Sequence, residues 1–209
     1  MNIAVANLQN LLRSLPPNAP PTVARNIETA VQLSGRFSEK AAEVRSNTRL
    51  SAEGKTEQVR AVLSGGFSGH FAQLRSEIDS ALAGIAGEIG NLKKRAVELL
   101  TDGFSPELRR EVRDRLQMLP PNDRRRLALE SDDRLIQASI LEASAFLTGL
   151  DPQVHAAVEQ RLVEGMFGKR LGELEVDHKA WEHADAVCKI VANELSKEAE
   201  VNAADLLAA

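Results

Sequence analysis

The chain of 209 residues contains no tyrosine, one tryptophan, six phenylalanines and one cysteine. Strands favour aromatic and β-branched residues, and no window alternates apolar and polar residues over a sustained length, so the sequence argues against a β-rich fold. The single cysteine, Cys188, excludes an intrachain disulfide and is typical of a reducing cytoplasm. No apolar run is long enough to cross a bilayer, so we predict no membrane partner.

Leu, Ala and Val supply most of the apolar mass, and Glu and Arg surround them. All of these except Val are strong helix formers, so we predict an all-α fold. The net charge of −4 and the pI of about 5.7 argue against nucleic acid as a partner, because nucleic-acid binders usually carry a concentrated basic surface. Residues 173–209 carry nine acidic and three basic side chains, which favours a solvated helix face over docking onto a basic partner.

We divide the chain into three regions by its helix stops and apolar patterns. Residues 1–21 begin with MNIAVANLQNLLRSL, which lacks the basic start of a secretion signal and predicts an amphipathic helix followed by a proline-rich spacer. The long periodic apolar stripes of residues 22–103 predict an extended, coiled-coil-like region of long helices. Residues 104–209 contain conventional helix starts and broader apolar faces, so they predict a compact helical bundle with an acidic C-terminal helix.

A stripe that is only partly apolar recurs every three or four positions between residues 23 and 48. The stripe consists of Val23, Ile27, Ala30, Ser34, Phe37, Ala41, Val44 and Thr48. A narrow stripe with a period of about 3.5 residues is typical of a coiled-coil seam. We therefore predict a long helix that pairs with a helix of another copy or of a partner protein through Val23, Ile27, Phe37 and Val44.

A second stripe of the same kind runs from residue 71 to residue 99, and its predicted interaction residues are Leu74, Ile78, Leu82, Ile85, Ile89 and Leu92. Three glycines, Gly84, Gly87 and Gly90, lie beside it, although a glycine in a helix interior costs roughly 1 kcal/mol relative to alanine. Close packing of another helix, local softness, and simple tolerance of the glycines by a stable bundle all explain them. We favour close packing at Gly87, because Ala83 lies one turn before it.

A metal site is the strongest catalytic hypothesis that the sequence offers. His178, Glu182 and Asp185 would share one face of a helix and could supply nitrogen and oxygen ligands. The spacing HxxxEH matches neither HExxH nor HxxEH, so a charged, solvated helix is the simpler interpretation. Cys188 lies among Val187, Ile190 and Val191, which favours packing over a nucleophilic role.

Two further segments contain residues that are common in phosphate sites, but neither has the pattern of one. The glycine-rich stretch SGGFSGH at residues 64–70 lacks the P-loop pattern, so we predict a hinge or loop there. The cluster at residues 124–126 consists of three arginines, but acidic residues nearly balance it, which favours surface salt bridges. We therefore predict no catalytic residue, no metal and no cofactor.

Two segments carry a resemblance to a known group of proteins. They are NTRLSAEGK at residues 47–55, before a charged helix, and residues 118–150, which begin MLPPNDRR and end ILEASAFLTGL. Together they resemble small helical proteins encoded among the virion structural genes of tailed bacteriophages. The resemblance implies a non-enzymatic head or tail component, or an assembly factor, and it transfers no catalytic residue.

The sequence thus predicts a structural or assembly protein of a bacteriophage virion, assembled in the bacterial cytoplasm, that self-associates or binds partner proteins through long helices. A homo-oligomer or a larger virion assembly is the expected form. The alternative is a cytoplasmic coiled-coil adaptor or regulatory protein of a bacterial cell.

Overall fold

Helices account for the secondary structure of a computed structural model that describes residue 10, residues 12–203 and residue 206. No strand occurs in these residues, and the all-α prediction is confirmed. The helices are α1 (Pro21–Ser46), α2 (Ala52–Val62), α3 (Ser68–Thr101), α4 (Pro106–Met118), α5 (Pro121–Glu130), α6 (Arg134–Leu141), α7 (Ala145–Thr148) and α8 (Pro152–Ala199). Most of the amphipathic helix expected in residues 2–14 lies outside the described residues.

Serine side chains cap the N-termini of α2 and α4. The Ser51 hydroxyl accepts a hydrogen bond from the Gly54 N–H at 3.1 Å at the start of α2. The Ser105 hydroxyl accepts one from the Leu108 N–H at 3.3 Å at the start of α4. Such caps satisfy backbone donors that have no partner in the first turn of a helix, which is why they fix where the helix begins.

The glycine-rich stretch between α2 and α3 does not form a loop. A π-helical turn, Leu63–Phe67, joins the two helices, and the backbone leaves helical geometry at Gly66 (φ 176°, ψ −35°). The sequence predicted a hinge or loop here; the backbone is kinked at Gly66 but forms no loop, and a role as a hinge stays a prediction. The residues on both sides of Gly66 are helical, so two helices meet at a kink there.

The chain divides into two compact units, residues 1–85 with 175–209, and residues 86–174. This division differs from the expected one at residue 103, because the end of α8 belongs with α1, α2 and the beginning of α3. The second half also contains one helix of 48 residues, where we expected only short ones. After Pro152 no proline interrupts α8, and its only non-helical residue is Phe167 (φ −129°, ψ 18°).

The first unit has a core of aliphatic and phenylalanine side chains from α1, α2, α3 and α8. Its largest fully buried members include Ile27, Phe37, Val59, Phe71, Ile78, Val187, Val191 and Leu195. Polar contacts tie the acidic end of α8 to α1: the Ser34 hydroxyl donates to Glu194 Oε2 at 3.1 Å, and Arg45 Nη1 lies 2.9 Å from Glu198 Oε1. Part of the acidic end therefore docks onto groups of its own chain, where we expected a solvated face.

Arginine side chains satisfy the carbonyl groups at helix ends in the second unit. Arg124 donates to the Leu116, Gln117 and Leu119 carbonyl oxygens at 2.9, 2.6 and 2.8 Å. Arg161 donates to the carbonyl oxygens of Leu129 and Ser131. The last carbonyls of a helix have no partner within it, so these guanidinium groups cap α4 and α5. Arg124 thus has a structural role that the sequence pattern did not predict.

Candidate functional site

The predicted interaction residues of α1 are mostly core residues of the first unit. Val23, Ile27 and Phe37 have no exposed surface, and Val44 is half-buried. The narrow stripe is therefore largely covered by helices of the same chain. An interface that used these side chains would require the unit to open, and their role in association stays a prediction.

The predicted interaction residues of α3 differ along the helix. Leu74, Ile78 and Ile85 are buried in the first unit, and Leu82 is half-buried. Further along, in the second unit, Ile89 and Leu92 are half-buried and Gly87 is exposed. Leu82, Ile89, Leu92 and Gly87 therefore keep some exposed surface, and the coiled-coil character of the helix stays a prediction.

The three glycines of α3 meet no neighbouring helix within the chain. A Cβ atom added to Gly84, Gly87 or Gly90 would have no atom within 4 Å beyond the glycine's own helical surroundings. Close packing at Gly87 is thus absent from the fold itself. Packing against another chain stays a prediction, and softness explains the glycines without any partner.

The candidate metal ligands of α8 are engaged in different contacts. His178 Nδ1 lies 3.4 Å from Glu182 Oε2, and both side chains are exposed. Asp185 instead binds Arg75 of α3 and, at 2.7 Å, Lys189. Among the described residues no group of three His, Cys, Asp or Glu side chains is placed to hold a metal. The three side chains therefore do not form one ligand set.

Cys188 is 1% exposed within the core of the first unit. Burial raises the pKa of its thiol to about 11, because the charged thiolate would lose its hydration there. The thiol is therefore neutral near pH 7, and a neutral thiol is a poor nucleophile. Cys188 therefore packs in the core as a small apolar side chain does.

Two large apolar side chains of the second unit point into solvent. Phe146 is 87% exposed and Met118 is 82% exposed. They lie on α7 and at the end of α4, which are joined by a hydrogen bond from Gln117 Nε2 to the Leu147 carbonyl oxygen at 2.7 Å. We call Met118, Phe146 and the half-exposed Leu147 the α4–α7 apolar surface.

The broad apolar faces that predict a helical bundle in residues 104–209 include both Ile140 and Phe146. Ile140 is buried, but α6 ends at Leu141 and α7 begins at Ala145, so one helical period does not extend across both. A new helix with its own axis carries Phe146 outward. The exposed aromatic was missed for this reason, and the Glu142–Ser144 interruption was the available signal.

A groove of about 590 Å³, lined by both polar and apolar groups, lies in the first unit between α1, α3 and Trp181 of α8. We call it the α1–α3 groove. A second hollow of about 410 Å³ adjoins it, since Thr29 and His70 line both, and its wall includes Leu33, Val62 and Phe67. Neither hollow was predictable from sequence patterns, because their lining residues come from distant parts of the chain.

The chain was compared with protein families, curated proteins and solved structures. No family model, curated protein or solved structure matches the chain. Among the described helices, none has the length and apolar character needed to cross a membrane.

Proposed function

We propose that this protein is a non-enzymatic structural or assembly protein that acts by binding other protein chains, including copies of itself. In this proposal the assembly is the head or tail of a tailed bacteriophage, put together in the bacterial cytoplasm. The resemblance of residues 47–55 and 118–150 to virion proteins supports that setting. The binding activity rests on a separate observation.

The α4–α7 apolar surface carries the proposal. A fully exposed phenylalanine loses on the order of 150 Å² of contact with water when a partner covers it, which is about 4 kcal/mol before the costs of association. Single exposed apolar residues are common on proteins. Here, however, Phe146 and Met118 belong to two helices that the Gln117–Leu147 hydrogen bond holds together, so the positions of these helices are fixed before a partner binds.

Sedimentation velocity of the full chain at micromolar concentrations tests the proposal. We expect oligomers of the natural protein, and we expect the double variant Met118→Gln with Phe146→Gln to sediment as a monomer with an unchanged circular dichroism spectrum. Ile190→Gln is the matched control, because Ile190 is 49% exposed but lies in the first unit. A compact monomer for the natural protein would contradict self-association.

The virion setting has its own test. Mass spectrometry of purified phage particles from infected cells should detect this chain at a fixed ratio to the major capsid protein. Recovery only from the particle-free cytoplasm, in complex with a host protein, would favour the adaptor alternative instead.

A further inference from the structure

The α1–α3 groove contains a polar group that the fold leaves unsatisfied. Asn26 lines the groove, is 5% exposed, and its Nδ2 has no hydrogen-bond partner. A buried amide without a partner is unfavourable, and such groups are rare in folded proteins. An acceptor brought by a ligand, with a small rotation of the amide, would satisfy it.

The charges that line the groove cancel. Arg25 contributes one positive charge and Glu77 one negative charge. Phosphate sites usually combine several cationic side chains or backbone donors, which this balance does not provide. The groove therefore suits a ligand without net charge.

The remaining polar groups both donate and accept hydrogen bonds. Four hydroxyl groups line the groove, from Thr22, Thr29, Ser76 and Ser80; the Thr29 hydroxyl already donates to the Arg25 carbonyl oxygen at 2.8 Å, so it offers a ligand only an acceptor. The Gln73 amide, which donates to Glu77 Oε1 at 3.3 Å, still has its carbonyl oxygen for a ligand. Hydroxyl and amide groups of this kind complement a ligand that itself carries many hydroxyl groups.

His70 adds an acceptor of fixed orientation. Its Nδ1 lies 2.8 Å from the Gly66 carbonyl oxygen, and a carbonyl only accepts, so Nδ1 carries the proton. In the neutral ring Nε2 is then an acceptor. Trp181 and Leu74, which are 8% and 6% exposed, supply apolar surface to the same groove.

From this combination we propose that the α1–α3 groove binds a neutral saccharide. The hydroxyl groups of the sugar would bond to the hydroxyl, amide and carboxylate groups of the lining, and its C–H surface would contact Trp181 and Leu74. The volume of about 590 Å³ lies within the range of sites for small organic ligands and exceeds what a single amino acid requires. We therefore expect a disaccharide to bind better than a monosaccharide.

Intrinsic fluorescence provides a direct test. Trp181 is the only tryptophan and the chain has no tyrosine, so the emission comes from this groove. The full chain is titrated with disaccharides of glucose, of galactose and of N-acetylglucosamine, and each titration is repeated by calorimetry. We expect at least one disaccharide to give a saturable change, whereas glutamate and inorganic phosphate give none.

Three variants separate binding from folding. Gln73→Ala and Glu77→Ala should each weaken the sugar by roughly tenfold, as the loss of a hydrogen bond predicts. Asn26→Leu should also weaken it while keeping or raising the melting temperature, because it removes an unsatisfied buried amide. Gln160→Ala, in the second unit, is the control and should bind normally.

Several results would overturn the proposal. One is that no disaccharide gives a saturable signal in either method. Another is that Gln73→Ala and Glu77→Ala bind the sugar with normal strength. The third is that glutamate or phosphate binds more tightly than any sugar. The outcome is independent of the sedimentation experiment, which addresses residues of the second unit.

Discussion

The glycines of α3 allow a prediction whose sign depends on the structure. Replacing Gly84, Gly87 and Gly90 by alanine adds three methyl groups, each of which points into space with no atom within 4 Å. Alanine loses less conformational entropy than glycine when it enters a helix. Each substitution should therefore stabilise the protein by roughly 0.5–1 kcal/mol, and the triple variant by about 2–3 kcal/mol.

Thermal and urea unfolding, followed by circular dichroism, measure this effect. For a chain of this size, 1 kcal/mol corresponds to about 2–4 °C in Tm, so the triple variant should melt roughly 4–12 °C higher. Gly84 belongs to the first unit and Gly87 and Gly90 to the second. If the units unfold separately, the Gly84→Ala effect should therefore appear in a different transition from the other two.

Gly149→Ala is the control with the opposite sign. Gly149 has φ +65°, and an added Cβ would lie 2.5 Å from Arg124 Nη1. Arg124 cannot easily move, because its guanidinium also binds three carbonyl oxygens at the end of α4. We expect a loss of at least about 1–2 kcal/mol from the left-handed backbone alone. A destabilising Gly87→Ala would refute the softness argument and show that another chain packs there.

Other predictions concern the second unit and the buried thiol. Hydrogen bonding to Arg109 holds the pKa of Glu142 below its ordinary value of 4.5, so its stabilising contribution is present above that value and is lost as the pH falls through the lowered pKa. Glu142→Ala should lower the free energy of unfolding by about 3 kcal/mol, since it leaves the buried Arg109 without its carboxylate. It should also make the free energy of unfolding depend less on pH in the acid range. An unchanged pH dependence would contradict the role given to Glu142. Cys188 should react with iodoacetamide at pH 8 at least about a hundredfold more slowly in the native protein than in urea, and equal rates would show that the core opens. Arg124→Met should lower the free energy of unfolding by about 2–3 kcal/mol, whereas Arg126→Ala, which loses an exposed pair with Asp123, should change it by less than about 1 kcal/mol.

Local signals in the sequence were sufficient for the helix starts. Ser51, Ser105 and Asp151 each accept a hydrogen bond from a backbone N–H in the first turn of the following helix, and such capping depends only on residues within one turn. Helix continuation was harder to predict. The stretch at residues 64–69 has the composition of a loop or hinge, and the structure has a π-helical turn there with a kink at Gly66.

Long-range features were not predictable from patterns along the chain. The acidic end of α8 binds Ser34 and Arg45, which lie more than 150 residues earlier. The α1–α3 groove likewise combines α1, α3 and Trp181 from three separate segments. Periodicity shows which face of a helix is apolar, but it does not show which helix covers that face.

The heptad stripes illustrate that limit and indicate where association should be sought. A narrow apolar seam on α1 predicts a partner helix, and the fold provides one within the chain: Ser34 and Arg45 of α1 bind glutamates of α8, and Val23, Ile27 and Phe37 are buried. A seam that is already covered contributes little to oligomer formation, because its apolar area leaves water when the monomer folds. An interface must instead use apolar area that the folded chain still exposes. Phe146 and Met118 fulfil that condition, and the heptad pattern includes neither of them.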